Sequence, residues 1–511
     1  MGIMKTTTEL SRLALVIALM LPSSASASEL TPEQRAWYRA QMGLQQNAVP
    51  APQRNSVGDA VVEWRALNAN EYAGFDQLAR FLISNPGWPN ADRMRARAEK
   101  ALAIDNFDPR TALAYFAVNP PRSASGELRH ALALNASGQR DAARAALRRA
   151  WTTGTLDEME EARVFAIFPS ALTPADHDAR MDRLLWSGAT RAATRQLALT
   201  SQSRRAYFAA RLAMRSKAVD AALQAAAVEA ADPGLTRRDA GYITDKATWL
   251  RTSGRVSEAR ALLAAPRQLS APPTDAEEWL ETLLTNARGA ASAGDPATTF
   301  AIARQIDDSF PAGTVVRELP LSIRDDYTSL AWLAAHTANR QLGKPGEAVH
   351  LYDLYAQGAR SAQTRTKGFY WAGRAAEAAG DSTSAQRHLA AAAQHYDQFY
   401  GQLARERLGL PMRRPDRAAA IAVTDDDRRR FMDDRLVRAA RVLGEMGAWR
   451  DQSLFLRAIS QRASTPADHA LAGELAGAIG RIDLGVMIGR SAQANNIDAV
   501  AVAGFPTIRV P

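Results

Sequence analysis

The sequence has no cysteine in its 511 residues. That excludes disulfides, thiolate metal sites, cysteine nucleophiles and a lipid-modified N-terminal cysteine. Lysine is nearly missing as well: six occur, and almost all of the positive charge is arginine. Alternating Val/Ile/Thr runs of the kind that mark β-strands are scarce. There is no Walker phosphate loop, no Gly-x-Gly-x-x-Gly after a strand, no Gly-x-Ser-x-Gly elbow and no His-Glu-x-x-His phrase. Nucleotide, dinucleotide, α/β-hydrolase and zincin chemistry therefore lack their usual signatures, and no cofactor is implied.

What is present begins with an export signal. Lys5 and Arg12 supply a positive start, and Leu13 to Leu21 form an apolar run of nine residues. Pro22 breaks it, and Ala25-Ser26-Ala27 offers the small residues of a cleavage site. The rival reading is a retained anchor, but nine residues fall short of the about 20 needed to cross a hydrocarbon core. No other stretch is apolar enough to span a membrane. The expectation is a signal peptide over 1–27 and a soluble periplasmic chain after it.

That chain is too long for one compact globule, because single cores stop growing near about 250–300 residues. Its formal net charge is +9. A GC-rich genome favouring Arg and Ala codons explains this; so would attraction to anionic wall polymers, since a positive field raises encounter with polyanions. Nucleic acid would suit the charge, but the export signal and the lack of a basic block with interleaved aromatics argue against it.

Apolar residues recur at i, i+3, i+4 almost throughout, as in Asp141–Trp151, Ala209–Ala231 and Ala375–Ala393, which predicts an all-α fold. A short phrase then repeats: Gly138…Ala143, Gly188…Ala193, Gly254…Ala259, Gly343…Ala348 and Gly380…Ala385. Glycine suits the helix-ending position where φ turns positive. The residues after it, such as Asp141, Ser257, Asp381 and Ser382, can cap the next helix. The alanine is small enough for close helix crossing. This is helical-hairpin grammar of the tetratricopeptide kind, unevenly spaced, and predicts an irregular α-superhelix.

One stretch is more specific. It reads Tyr370-Trp371-Ala372-Gly373-Arg374-Ala375-Ala376-Glu377, then Gly380-Asp381, Phe399-Tyr400-Gly401-Gln402-Leu403-Ala404 and Leu408-Gly409. Asn85-Pro86-Gly87-Trp88-Pro89, Thr173-Pro174-Ala175-Asp176-His177 and Arg180 to Trp186 support it. Leu436 to Arg441, Leu454 to Arg457 and Asp483-Leu484-Gly485 follow. Together these segments resemble the superhelical and linker regions of the soluble lytic transglycosylases, periplasmic enzymes that cleave peptidoglycan glycan strands. The resemblance implies a superhelical domain over 28–420, closed into a U or ring, and a small helical linker domain over 421–500. The break between them is expected near Pro411–Asp427, with Pro411, Pro415 and the run Asp425-Asp426-Asp427. The tail 501–511, with Pro506 and Pro511, reads as extended.

In the family a lysozyme-like catalytic domain follows, built on a glutamate in a Glu-Ser dipeptide with a Gly-Leu-Met-Gln-like phrase after it. This sequence contains neither, so no catalytic residue is carried over. The expectation is a noncatalytic piece of peptidoglycan turnover that binds or positions glycan strands. A second reading is an active transglycosylase that needs a missing or separately encoded catalytic domain. A third is an α-solenoid adaptor for proteins.

Candidate chemistry within the chain is sparse. The acidic pairs Glu160/Glu161 and Glu277/Glu278 are adjacent, point apart on a helix and read as solvated surface. His388 and His395 lie two helical turns apart, too far for one metal without other ligands, and no metal site is expected. Most of the ten tryptophans read as filling for an Ala-rich interior. Tyr370, Trp371, Arg374 and Tyr400 are the candidates for a sugar-stacking platform, because they concentrate polar aromatics and a guanidinium; Arg374 fits a helix-packing role equally well.

Overall fold

A computed structural model describes residues 28–47, 49–412 and 421–494. The expected signal peptide, Pro415 in the expected break and the tail 501–511 lie outside the described residues. Twenty-seven α-helices run through the described residues, with short 3₁₀ turns, one π-turn and no strand. None of these helices is long and apolar enough to cross a membrane.

The repeated glycine phrase does what its chemistry dictates. Gly138, Gly188, Gly254, Gly343 and Gly380 all have φ between 63° and 83°. Each ends one helix in the left-handed conformation that costs glycine no Cβ clash. The alanines that follow, Ala143, Ala193, Ala259, Ala348 and Ala385, are all buried in helix crossings. The same turn recurs in disguise at Gly294 and Gly447, both with φ 72°. There Thr299 and Gln452 stand in the alanine's place, fully buried. Each donates to a carbonyl: Thr299 Oγ1 to Asp295 O at 2.7 Å, and Gln452 Nε2 to Ala440 O at 3.0 Å. Lys217, with φ 55°, takes the glycine's role between helices Arg205–Ser216 and Ala221–Ala231. The apolar run 209–231 is therefore two helices, not one.

Capping is more selective than the sequence suggests. Asp381 accepts the Ser384 N–H, and Thr173 forms a reciprocal box with Asp176 behind Pro174. Asp141 and Ser257 instead sit inside the first helical turn, where the N-caps are Gln139 and Arg255 without side-chain bonds.

The two ends of the chain share one hydrophobic core. It draws on Leu30, Tyr38, Trp64, Phe81, Trp88 and Tyr115 from the start and on Phe431, Leu443, Phe455, Leu471 and Ile488 from the end. Phe455 is fully buried and makes edge-to-face contacts with Trp64 and Trp88, each with ring centroids 5.0 Å apart. Polar contacts clasp the same joint. Glu445 accepts the Glu29 and Leu30 N–H groups at 2.8 and 3.1 Å. The Glu29 carboxylate accepts from Arg438 at 3.1 Å and Arg441 at 2.6 Å. Between the joined ends, smaller cores follow one another along the chain, as a solenoid's stacked hairpins require. The superhelix is thus closed end to end.

Candidate functional site

The four residues singled out from the sequence come together in space. Tyr370, Trp371 and Arg374 belong to helix Ala362–Ala378, and Tyr400 to Phe399–Arg407. The Tyr370 and Tyr400 rings lie 5.4 Å apart, and Tyr370 and Trp371 meet edge to face at 5.9 Å. Arg374 donates to the Tyr370 hydroxyl at 3.3 Å and pairs with Glu377 at 3.1 Å. Tyr370 is only 7% exposed, whereas Trp371, Arg374 and Tyr400 are half-buried. This cluster forms a packed wall, with the charge of Arg374 already compensated.

An open face continues from that wall. The ring contacts run on from Trp371 to Tyr352 at 6.3 Å, from Tyr352 to Trp332 at 5.2 Å, and from Trp332 to Tyr355 at 4.9 Å. Trp332, Tyr355, His336, Thr364, Lys367 and Arg288 line an open cleft of about 430 Å³, with Asp325 also on its wall. Local sequence explains the layout. Trp332 and His336 are spaced four residues apart and Lys367 and Trp371 likewise, so each pair lies along one helix face. Gly368 lets helix Ala362–Ala378 lie tight on Pro345–Gly358: a Cβ there would stand 2.7 Å from Ala356 Cβ and 2.8 Å from its nitrogen. Helix Leu321–His336 ends in the π-turn Thr337–Gln341, where Leu342 N–H bonds five residues back to Thr337 O at 3.0 Å. Such turns often mark sites where a helix redirects a side chain.

The result is a reciprocal exchange of cations. Lys367 Nζ lies 3.5 Å from the centroid of Trp332, and the Arg340 guanidinium 5.2 Å from that of Trp371. Burial lowers the Lys367 pKa. The His336 pKa is lowered by burial first and then by the positive charges of Arg340 and Lys367. His336 also stacks on Trp332, with centroids 6.2 Å apart and planes at 17°. Burial raises the Tyr355 phenol.

Sequence reasoning missed Trp332, His336, Arg340, Tyr355 and Lys367. Two signals could have found them: the Trp-x-x-x-His-x-x-x-Arg spacing, and a lysine four residues before Trp371 in a chain with so few lysines.

Other hollows hold some paired cations. The wider one, of about 720 Å³, is lined by Glu158, Met159 and Arg195, and Arg195 pairs with Glu158 and Glu161. The one lined by Arg430 and Arg462 has them on Asp427, Asp468 and Asp434.

Glu160 and Glu161 do not form the solvated surface expected of them. Glu160 is 5% exposed. It accepts from Arg129 at 2.6 Å and Ser125 at 2.9 Å, while Glu161 accepts from Arg180 at 2.7 Å and Arg195 at 3.0 Å. Adjacent carboxylates point in different directions from a helix, and here each direction meets an arginine of a neighbouring hairpin. Glu277 is exposed, but Glu278 is half-buried on Arg215 at 3.2 Å. His388 is buried against Phe369 and 3.6 Å from Asp353, while His395 lies beyond the end of helix Ser382–Ala393. Among the described residues no three His, Asp or Glu side chains stand close enough to share a metal ion. Trp64, Trp88, Trp151, Trp186 and Trp279 are buried, and Trp449 is exposed.

Compared by sequence, the chain matches no protein-family profile and no curated protein. Compared by structure, it is similar to soluble lytic transglycosylases. The complex of the 70-kDa soluble lytic transglycosylase with bulgecin A aligns over 91% of this chain and 70% of that one, at 16% identity and a TM-score of 0.47. Slt70 from Escherichia coli aligns over 93% of this chain and 71% of its own, at 16% identity and a TM-score of 0.46. An inactive variant of the lytic transglycosylase Slt from Pseudomonas aeruginosa aligns over 91% and 69%, at 15% identity and a TM-score of 0.49. Likenesses at these identities and scores carry no information about chemistry.

Proposed function

We propose that this chain is a periplasmic protein of peptidoglycan turnover that binds and positions glycan strands along the cleft beside Trp332. The observation that carries the reading is the cleft itself. A half-buried indole faces an open groove, with the Tyr355 ring, the Thr364 hydroxyl and cationic donors around it. Saccharides present an apolar ring face and a hydroxyl edge, and a site with aromatic surface and a few placed polar groups complements both. The sequence phrases around Tyr370, Trp371 and Tyr400, which resemble those of soluble lytic transglycosylases, favour a wall glycan over other saccharides. The leader-like residues 1–27 favour the periplasm.

The test is co-sedimentation of the purified chain with intact peptidoglycan sacculi. Trp332→Ala and Tyr355→Ala should each reduce the bound fraction. Trp449→Ala, at an exposed tryptophan outside the cleft, should leave it unchanged. Thermal melts of all three separate loss of binding from loss of fold. A wild-type chain that stays in the supernatant would remove the glycan reading. Release of 1,6-anhydro-muropeptides would make the chain an enzyme and require an acid/base carboxylate among its helices.

A further inference from the structure

Ser28, Glu29 and Leu30 follow directly on Ala25-Ser26-Ala27, the small residues expected at the leader's cleavage site. They are seated in a polar socket at the ring joint. Ser28 Oγ lies 2.7 Å from Glu445 Oε2, and the Glu29 and Leu30 N–H groups donate to the two oxygens of the same carboxylate at 2.8 and 3.1 Å. Arg35 donates to Ser28 Oγ at 3.1 Å and stands 3.6 Å from Glu445. Asn55 donates to the Glu29 carbonyl at 3.0 Å. Leu30, 2% exposed, belongs to the core that both ends of the chain share.

Capping does not account for Glu445. The helix that follows the socket, Pro32–Gln41, already has a reciprocal cap from Thr31 and Gln34. Glu445 is itself the last residue of helix Arg435–Glu445, where the helix dipole is negative and a carboxylate is unfavourable. A carboxylate in that position is stabilised by cations, and Arg35, with 39% of its side chain exposed, is one. The Ser28 nitrogen is bonded to the Cα next to the carbon that bears Oγ, so it too lies beside Glu445. In the uncut chain this nitrogen is a neutral amide. As a chain terminus it is an ammonium, charged at neutral pH.

We propose that leader removal makes the last part of the ring joint: the new Ser28 ammonium docks on Glu445 and locks the superhelix closed, which the uncut precursor cannot do. The proposal rests on the export reading above and adds a consequence of processing for the shape of the protein. In the cut, water adds across the Ala27–Ser28 peptide bond. The C–N bond breaks, the water oxygen stays with Ala27 as part of its carboxylate, and the freed Ser28 nitrogen is protonated to the ammonium. A signal peptidase supplies the catalysis. Residues 28–30 cannot serve both events at once. A peptidase needs the chain around the scissile bond exposed and accessible, whereas the socket holds these residues against helix Arg435–Glu445. Cutting therefore precedes locking.

The experiment starts from the whole gene, expressed for export, and the N-terminal sequence of the recovered chain, which should begin at Ser28. Hydrogen–deuterium exchange is then compared between the chain that begins at Ser28 and one that keeps Ala25-Ser26-Ala27 ahead of it. The extension moves the ammonium away and adds little bulk. Exchange in helix Arg435–Glu445 should be about three- to tenfold faster in the extended chain, between the worth of an exposed ion pair and that of a charge-assisted hydrogen bond. Exchange in the mid-chain helix Arg140–Thr153 should be the same in both. With Glu445→Gln, the two termini should exchange alike. The first comparison needs no substitution, so it stands even where Glu445→Gln misfolds. Equal rates in the two unsubstituted chains would overturn the lock while leaving export in place. A difference that survives Glu445→Gln would overturn Glu445 as the receptor. An exported chain that begins elsewhere overturns the Ser28 terminus, and one that keeps residues 1–27 removes the export reading and this proposal with it.

Discussion

Phe455→Ala tests whether the two ends of the chain hold each other. Phe455 is fully buried and touches Trp64 and Trp88 edge to face, each at 5.0 Å. Truncating a buried phenylalanine to alanine costs about 3–5 kcal/mol. Losing two aromatic pairs at about 0.5–1.5 kcal/mol each places this site in the upper half of that range. The location of the loss matters more than its size. In a solenoid, stability is a sum of hairpin terms and nearest-neighbour interfaces, and the Phe455 contact joins hairpins from opposite ends. Its removal should open the ring while the hairpins between keep their helices. The chain has no cysteine, so cysteines introduced at the exposed positions Arg80 and Arg457 can be spin-labelled without background. The intact protein should give one narrow inter-label distance. Phe455→Ala should add a longer, broad component with little change in far-ultraviolet circular dichroism. An unchanged distance distribution, with a urea midpoint lowered no more than by Leu147→Ala in a mid-chain core, would refute closure as a separate cooperative unit.

Three further outcomes are expected. Glu29→Gln weakens the clasp to Arg438 and Arg441; because Arg438 is 36% exposed and keeps some hydration, the loss should be about 2 kcal/mol, below the about 3–5 of a fully buried pair, read as a lower urea midpoint and faster proteolysis near the N-terminus. Gly401→Ala places a Cβ 1.9 Å from the His395 carbonyl oxygen, and since backbone cannot yield as a side chain can, the cost should reach about 3 kcal/mol, measured by thermal melting. His130, His177, His336, His388 and His395 all have pKa values lowered chiefly by burial, so their contribution to stability is complete above the unfolded pKa of 6.5 and is lost as pH falls through the folded values. His350 runs the other way: Asp307 raises its pKa, so its contribution is present below 6.5 and lost as pH rises through the raised value. With five groups against one, the urea midpoint should fall between about pH 7 and about pH 5, and a midpoint that rises there would contradict the assigned burial.

Helix content and hairpin turns were legible because they depend on local chemistry. Each Gly…Ala phrase carries both the left-handed turn and the small crossing residue within six positions, and all five behaved alike. Lys217 shows the limit: a residue with a Cβ took the left-handed turn, and nothing local announces that. Glu160 shows a second limit. Whether a carboxylate is solvated depends on which hairpin lies opposite, and Arg129 stands thirty-one positions away. The cleft was half legible. Trp371 and its neighbours drew attention as an aromatic phrase, but Trp332, Tyr355 and Lys367 meet only through the packing of separate helices. Such a meeting is a property of packing, and no sequence window contains it.

Closure of the chain should also matter for the cleft. Its walls come chiefly from helices Leu321–His336, Pro345–Gly358 and Ala362–Ala378, joined only by turns and by their packing. In an open solenoid each joint flexes independently, and a ligand spanning three helices must first immobilise them. In a closed one, rotation at any joint has to be compensated elsewhere around the ring, so the cleft is held near one geometry before the ligand arrives. Preorganisation of this kind lowers the ordering cost of binding. Phe455→Ala, which touches nothing in the cleft, should therefore weaken saccharide binding by about three- to tenfold, and an engineered disulfide across the joint should restore it. A ring that opens by inter-label distance, yet binds saccharide as tightly as the intact one, would show that the three helices fix the cleft by themselves and that closure serves another purpose.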